Sequence, residues 1–249
     1  MENTVLKALL TRRSVRNFNG KAIPEDVMTQ IIAAGQQAPS SINGQQISLV
    51  VIEDKAKIAK IAELCGGQQH IAGAAAFICV VADFNRVAKG VEIAGSELGF
   101  LDTIEGLVTG SVDAGITVAS LATAAESFGL GTTVIGALRG QLQGMIDLLA
   151  IPHHAVPIIG LTLGYPNPEQ PSFVKPRIAP TAYAFKGEYP KTFDFAAVFT
   201  EYEVLSEEFR KKSGQNEIKY TEKVAAMYGK NGRKRDTAAV YEKQGFKLK

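Results

Sequence analysis

Three arginines and a serine lie within five positions in the stretch TRRSVRNFNG, residues 11–20. The guanidinium groups of Arg12, Arg13 and Arg16 are permanently charged, and each can bind a phosphate through two parallel hydrogen bonds. Ser14 adds a short hydroxyl donor in the same turn. This combination predicts an anion site, although any one of these cations could equally be solvated.

A second pair of cations stands far along the chain, in the stretch VKPRIAP. Its prolines favour an extended, stiff backbone, in which Lys175 and Arg177 project on the same side. Two rigid basic clusters could clamp one phosphate between them. We therefore predict that this pair and the first cluster act together.

The glycine-rich stretch GLGTTVIG does not predict a dinucleotide-binding turn. In that motif the glycines follow a strand and open a helix, whereas Gly129 and Gly131 precede the predicted strand. A glycine that ends a helix, at one of these two positions, explains the pattern better.

Hydrolytic chemistry at Ser40 and Ser41, with His70 as base, remains a minor alternative. The surrounding APSSING lacks the strained turn and the orienting acid that a nucleophilic serine requires. These hydroxyls are better interpreted as helix caps or ligand contacts. Neither the two cysteines nor the three histidines of the chain have the spacing of a metal site or of a disulfide framework.

Composition indicates a globular protein, since 46% of the 249 residues are hydrophobic. No apolar run approaches the roughly 20 residues that span a bilayer, so we expect a cytoplasmic protein without a membrane partner. Residues 201–249 carry a net charge of +4 against +2 for the whole chain, which leaves −2 for residues 1–200. Nucleic-acid binding by this basic end is an alternative, but the interleaved acids favour a solvated helical face.

Hydrophobic periodicity predicts helices at 3–12, from 24 to Pro39, after 54, at 106–131 and at 141–149, with further helices near 193–212, 217–228 and up to Phe246. Apolar runs predict strands at 47–54 and 77–84, in TTVIGAL and in AVPIIGLTLGY. The small residues of 106–131 predict a central buried helix, or one packed against a second subunit.

These elements predict an α+β fold: a central mixed, mainly antiparallel sheet of four to five strands flanked by helices. We expect residues 1–200 to form the core and residues 201–249 to form a C-terminal helical excursion.

The chain resembles the FMN-dependent nitroreductase and flavin reductase family, specifically its larger NAD(P)H-oxidising branch. The stretches that carry the resemblance occur in family order over about residues 5 to 180: RRSVRNF, APSSINGQQ, GGQQHIAGAAAFICVVADFNR, AAESFGLGTTVIGALRG and LGYPNP with KPRIAP. Singly each is weak, and together they are specific.

The resemblance implies a homodimer with an intertwined helical interface and two FMN sites, each built from both subunits. The FMN phosphate would meet Arg12, Ser14, Lys175 and Arg177. Arg16 would lie near the pyrimidine edge of the flavin, where a cation favours the reduced ring. One loop would contact the cofactor through Ser40, Ser41, Asn43 and Gln45. A second motif would bracket the ring with Gln68 and His70. The backbone N–H of Gly136 would lie near the flavin N5 atom.

The implied activity is a two-step transfer of hydride from NAD(P)H, through tightly but non-covalently bound FMN, to small acceptors such as nitroaromatics, quinones or free flavin. No side-chain acid or base is implied, so we expect no catalytic residue in the strict sense and no metal. A dedicated flavin reductase that supplies a partner enzyme, and a flavin carrier without turnover, remain alternatives.

Two departures from the family pattern are mild: Ala137 replaces a frequent glycine, and Arg12 replaces a histidine of some relatives. A third concerns the donor, because relatives that prefer NADPH place two arginines where this chain has Lys212 and Glu217. We therefore expect NADH to be used at least as well as NADPH.

Overall fold

The computed structural model describes residues 3–214, 218–232 and 235–248. The chain forms two compact units: Met1–Pro171 with Arg235–Lys249, and Ser172–Lys234. These bounds differ from the predicted division at residue 200. The first unit ends where the proline-rich segment follows the last strand, and it includes the end of the chain because Tyr241 and Phe246 are buried in its core.

The sheet of the first unit has four strands in the order β1-β2-β4-β3, and every neighbouring pair is antiparallel. The strands are β1 Ile47–Ile52, β2 Ala76–Asp83, β3 Gly131–Ile135 and β4 Ala155–Gly164. β2 lies in the middle of the sheet and is almost wholly buried, as a run that is apolar on both faces requires. The predicted α+β fold is confirmed.

Helices cover this sheet. The first unit contains α1 Thr4–Thr11, α2 Glu25–Gln36, α3 Lys55–Leu64, α4 Gln69–Ala72, α5 Asn85–Ile93, α6 Glu105–Ser127, α7 Leu142–Leu149 and α10 Ala238–Lys243. The second unit contains α8 Phe195–Ser213 and α9 Tyr220–Tyr228. Caps fix several starts: the Asn3 side chain accepts from Leu6 N at 3.0 Å, and Asp54 accepts from Lys57 N at 2.7 Å.

The 23-residue helix α6 packs against β2 and β4. In the described part of the chain it is the helix whose length and composition would allow it to cross a membrane. It nevertheless buries Asp113 in its middle and Leu121 against the core, which is typical of a core helix in a globular protein. Its opposite face leaves Val108, Val112 and Ile116 exposed.

The register of β2 defines two ends of the sheet. Ala76 lies opposite Leu163, beside the start of β3, whereas Ala82 lies opposite Ile47, where β1 begins. The seven residue steps from Ala76 to Asp83 span about 23 Å. Segments that precede β2 and β3 therefore lie far from the loop that precedes β1.

Candidate functional site

The arginine segment is fixed along the edge of β3. Val15 N donates to Thr132 O at 2.9 Å, and the Thr133 hydroxyl donates to Val15 O at 2.6 Å. Val15 is buried, and Ser14 forms a parallel bridge with Thr132. Because side chains alternate along an extended backbone, Ser14 and Arg16 point away from the side on which Val15 is buried.

Gly131 makes this docking possible. A Cβ at position 131 would lie 2.5 Å from Val15 Cβ and 2.6 Å from both of its Cγ atoms. The glycine is therefore a contact residue in a strand, and the helix-ending glycine is Gly129, with φ +74° and its N–H on Glu126 O at 3.0 Å.

Arg12 and Arg13 lie near the C-terminal end of α6. Burial raises the pKa of Glu126 in the last turn of that helix, and the positive charges of Arg12 and Arg13 oppose the rise. Both arginines are half-buried rather than free in solvent. A positive charge is also favourable at this end of a helix.

His70 presents an unsatisfied atom to the same end of the sheet. Its Nε2 is buried and has no hydrogen-bond partner among the described residues. Burial, and next the charge of Arg16, lower the pKa of His70 below its ordinary 6.5. The imidazole is thus neutral at pH 7, and a ligand that pairs with Nε2 would remove the penalty of an unpaired buried atom.

Gly136 lies between two guanidinium groups. Arg235 Nη1 donates to Gly136 O at 2.8 Å, and a Cβ on Gly136 would lie 3.3 Å from Arg139 Nη2. Arg235 also acts electrostatically on the buried Cys65 thiol, whose pKa burial raises to about 11. Since Gln68 Nε2 donates to Cys65 O at 2.8 Å, Gly136 and Gln68 share one region.

Sequence reasoning gave no role to Arg235. It stands in the basic stretch GRKRD, where nothing local distinguishes it from its neighbours. Its contact with Gly136 joins residues 99 positions apart, and such pairs carry no local signal.

The loop at residues 40–45 is strained. Ile42, Asn43 and Gln45 have φ of 49°, 55° and 52°, in the left-handed region that glycine favours. Such residues cost about 1–3 kcal/mol each and persist when their surroundings hold them in place. Ile42 is 96% exposed, so its own side chain supplies no compensating contact within the chain.

Arg86 holds the outer end of this loop. Its Nη2 donates to Gln45 O at 2.7 Å and to Ile47 O at 2.6 Å, and its Nη1 donates to Ser48 Oγ at 3.1 Å. Within the loop, Ser40 Oγ accepts from Gln45 N at 3.1 Å. These contacts line a cleft of about 720 Å³.

The predicted site residues of the first unit thus form two groups. The arginine segment, Gln68 and His70 belong to the region where β2 and β3 begin, and Gly136 follows the last residue of β3. The loop with Ser40, Ser41, Asn43 and Gln45 lies at the opposite end of β2, about 23 Å away. One copy of the chain does not bring the two groups together.

Lys175 and Arg177 belong to the second unit. Arg177 Nη1 donates to the carbonyls of Lys175 and Pro176, both at 3.0 Å, and Lys175 Nζ lies 5.9 Å from the ring centre of Phe209. The Tyr202 hydroxyl donates to Pro176 O at 3.1 Å. Their role at a phosphate stays a prediction, and Glu217 lies outside the described residues.

Two family models match the sequence. The model described as "Nitroreductase family" matches residues 9–165, and the one described as "Nitroreductase family, C-terminal domain" matches residues 175–249. An FMN reductase (NAD(P)H) of Bacillus subtilis is 36% identical over 248 residues, which cover 99% of both chains. An oxygen-insensitive NADPH nitroreductase of Salmonella typhimurium is 35% identical over 186 residues, 74% of both chains.

Solved structures of similar proteins superimpose on nearly the whole length of this chain. NfrA2 of B. megaterium superimposes with a TM-score of 0.92 at 32% identity and covers 100% of both chains. The NADPH:FMN oxidoreductase from Vibrio harveyi, solved in complex with NAD+, superimposes with a TM-score of 0.83 at 26% identity and covers 98% of both chains.

Proposed function

The chain belongs to the nitroreductase family, and we propose that it is an FMN-containing oxidoreductase that uses NAD(P)H to reduce small acceptors such as nitroaromatics, quinones or free flavin. The observation that carries the proposal is the similarity to an FMN reductase across 99% of both chains. A dedicated flavin reductase is the second candidate, because this same relative is named for reduction of FMN.

The arginine segment and His70, near the start of β2 and β3, together with Gly136, just after β3, fit a flavin nucleotide. The buried Nε2 of His70, which has no partner in the described part of the chain, can pair with a polar edge of a bound ring. The arginine segment supplies charge for a phosphate. Gly136 has no side chain, so a flat ligand can approach its backbone closely.

In this proposal Arg12, Ser14, Lys175 and Arg177 hold the phosphate of FMN. Arg16 keeps a fixed positive charge beside the ring, and the neutral His70 with Gln68 orients it. FMN held by these residues would supply the chemistry for hydride transfer between NAD(P)H and the second substrate. The chain's own residues bind, orient and stabilise charge, and no side chain is assigned as proton donor or acceptor.

We further propose that two copies form each site. The loop at 40–45 is too far from the arginine segment of its own chain to share a ligand with it, so it would serve the partner's site. The exposed apolar face of α6, with Val108, Val112 and Ile116, and the four exposed apolar residues of α1 supply a surface that a second copy would cover. Sedimentation that gives a stable 26.6 kDa monomer with bound FMN would contradict this arrangement.

A cytoplasmic location completes the proposal. Both cysteines are free and buried, and neither is paired in a disulfide. That usage is typical of a reducing compartment.

A visible spectrum of the purified protein, followed by anaerobic addition of NADH or NADPH, tests the function. We expect a yellow protein that bleaches with either donor and regains its colour when a quinone or nitroaromatic is added. A colourless protein that takes up no FMN, or a yellow one that neither donor bleaches, would refute the proposal. Steady-state rates with free FMN as acceptor, compared with rates for a nitroaromatic, distinguish the two candidates.

A further inference from the structure

Asp113 is a charged residue buried in the middle of α6, with only 3% of its surface exposed. A carboxylate in such a place is stable only when donors surround it. Gln46 Nε2 donates to its Oδ2 at 2.6 Å, and the backbone N–H of Ser41 donates to the same oxygen at 3.3 Å. Among the described residues it forms no ion pair, so both of these bonds go to the segment that holds the strained loop.

Gln46 is itself fixed in place. Its carbonyl accepts from Asp83 N at 2.9 Å, and its side chain is 3% exposed. A Cβ on Gly44 would collide with Gln46 Oε1, so the glycine leaves room for the amide to pass beneath the loop. The amide therefore forms a rigid connection from Asp113 to the loop.

Asp113 and Arg86 hold different parts of this loop. Arg86 binds the carbonyl of Gln45 at the outer end, whereas Asp113 binds the N–H of Ser41 on the other side of the left-handed residues Ile42 and Asn43. The strained stretch lies between these two attachments. Loss of the inner attachment would allow it to relax toward ordinary backbone angles.

We propose that Asp113 is a positioning residue, which holds the 40–45 loop in the conformation that presents its polar side chains to the flavin. The inference rests on the proposed function in that it assigns the loop to FMN. Asp113 itself touches no ligand, and it acts through Gln46 and the backbone of Ser41.

Hydrogen exchange of the segment 39–47 tests the first half of the inference without relying on FMN. The amides of Asn43, Gly44 and Gln45 donate within the loop at 3.0, 2.8 and 3.1 Å, so their exchange reports its opening. In Asp113→Leu we expect exchange about tenfold faster or more. In Asp113→Asn we expect near-wild-type exchange, because both donors reach one oxygen and an amide oxygen can accept both.

Retention of FMN by the diluted holoenzyme, followed by the fluorescence of released flavin, tests the second half. Asp113→Leu should raise the dissociation constant for FMN about tenfold. Asp113→Asn should raise it about twofold at most, in line with the expected exchange of the loop amides. Val118→Ala is the matched control, because it removes buried apolar contacts from the same helix and leaves Asp113, Gln46 and Ser41 unchanged. Its FMN retention should equal that of the wild type even where its thermal stability falls.

A reciprocal swap keeps the test decisive if Asp113→Leu does not fold. Gln46→Glu alone places two carboxylates together and should loosen the loop. Gln46→Glu combined with Asp113→Asn removes this repulsion and lets the two side chains pair again, so it should recover part of the lost protection, while Ser41 N–H loses its acceptor. Unchanged loop exchange in both Asp113→Leu and Gln46→Glu would overturn the inference. Faster exchange with unchanged FMN retention would overturn the link to the flavin. A wild type that binds no FMN would refute the proposed function, and loop exchange alone would then decide the role of Asp113.

Discussion

Replacing Gly131 with alanine should loosen the arginine segment. The new Cβ would lie 2.5–2.6 Å from three side-chain atoms of Val15, whereas carbon atoms in contact prefer about 3.5–4.0 Å. Val15 must therefore retreat by about 1 Å. It is tied to β3 by hydrogen bonds to Thr132 and from Thr133, and the displacement strains both.

The magnitude follows from this overpacking. We expect a loss of about 1–3 kcal/mol in unfolding free energy, which for a chain of this size lowers Tm by about 2–12 °C. Because Ser14 and Arg16 flank Val15, the dissociation constant for FMN should rise by about tenfold, or about 1.4 kcal/mol.

The Tm and the rate of FMN release of Gly131→Ala, each compared with those of the control variant Gly90→Ala, measure these effects. Gly90 lies in the exposed helix α5 with no heavy atom within 4 Å of a Cβ, so alanine there should be neutral or stabilise by up to about 1 kcal/mol. If Gly131→Ala matched this control in both Tm and FMN retention, the Val15 contact would not be what positions the arginines.

Three further outcomes are expected. Arg12→Ala combined with Arg177→Ala should leave a folded protein whose FMN affinity has fallen at least about a hundredfold, since two charge-assisted contacts are worth about 3–6 kcal/mol together; a variant that purifies as yellow as the wild type would show that the phosphate is bound elsewhere. His70 binds its proton less readily in the folded than in the unfolded chain, so its contribution to stability is present above pH 6.5 and is lost as the pH falls through its lowered pKa. Urea unfolding above and below pH 6.5 should therefore show that the unfolding free energy falls less with decreasing pH in His70→Gln than in the wild type. An equal fall in both proteins would contradict this assignment. The specificity constant kcat/KM for NADH should equal or exceed that for NADPH, and Glu217→Arg should shift the ratio toward NADPH by about tenfold, less at high salt; a strong native preference for NADPH that this substitution does not change would place the 2′-phosphate site on other residues.

The strands and most helices could be predicted from the sequence because burial leaves a periodic pattern. The apolar run at 77–84 is buried on both faces as β2, and the helix predicted at 3–12 is present as α1, which Asn3 caps. Helix α5 was missed, although its half-buried Val87, Ala88 and Val91 have helical spacing. None of its residues is fully buried, and no side-chain cap marks its start, so the local signal is weak.

The site was predictable in its residue types and less so in its contacts. Gly131 was considered as a helix end, whereas its role is to admit Val15, a residue 116 positions earlier. Asp113 and Arg235 were not singled out for the same reason, because their partners come from distant segments. Sequence patterns report local periodicity, and contacts between distant segments depend on the packed fold.

The distance between the two groups of site residues has a genetic consequence. If each flavin site takes its arginine segment from one copy and its loop from the other, a lesion in either group inactivates both sites of a homodimer. Mixing Arg12→Ala chains with Asn43→Leu chains would then restore one intact site in every mixed dimer and place both lesions in the other. Random pairing of equal amounts makes half of the dimers mixed, so about a quarter of the wild-type sites should return. Two alleles that are inactive alone would complement each other within a single gene.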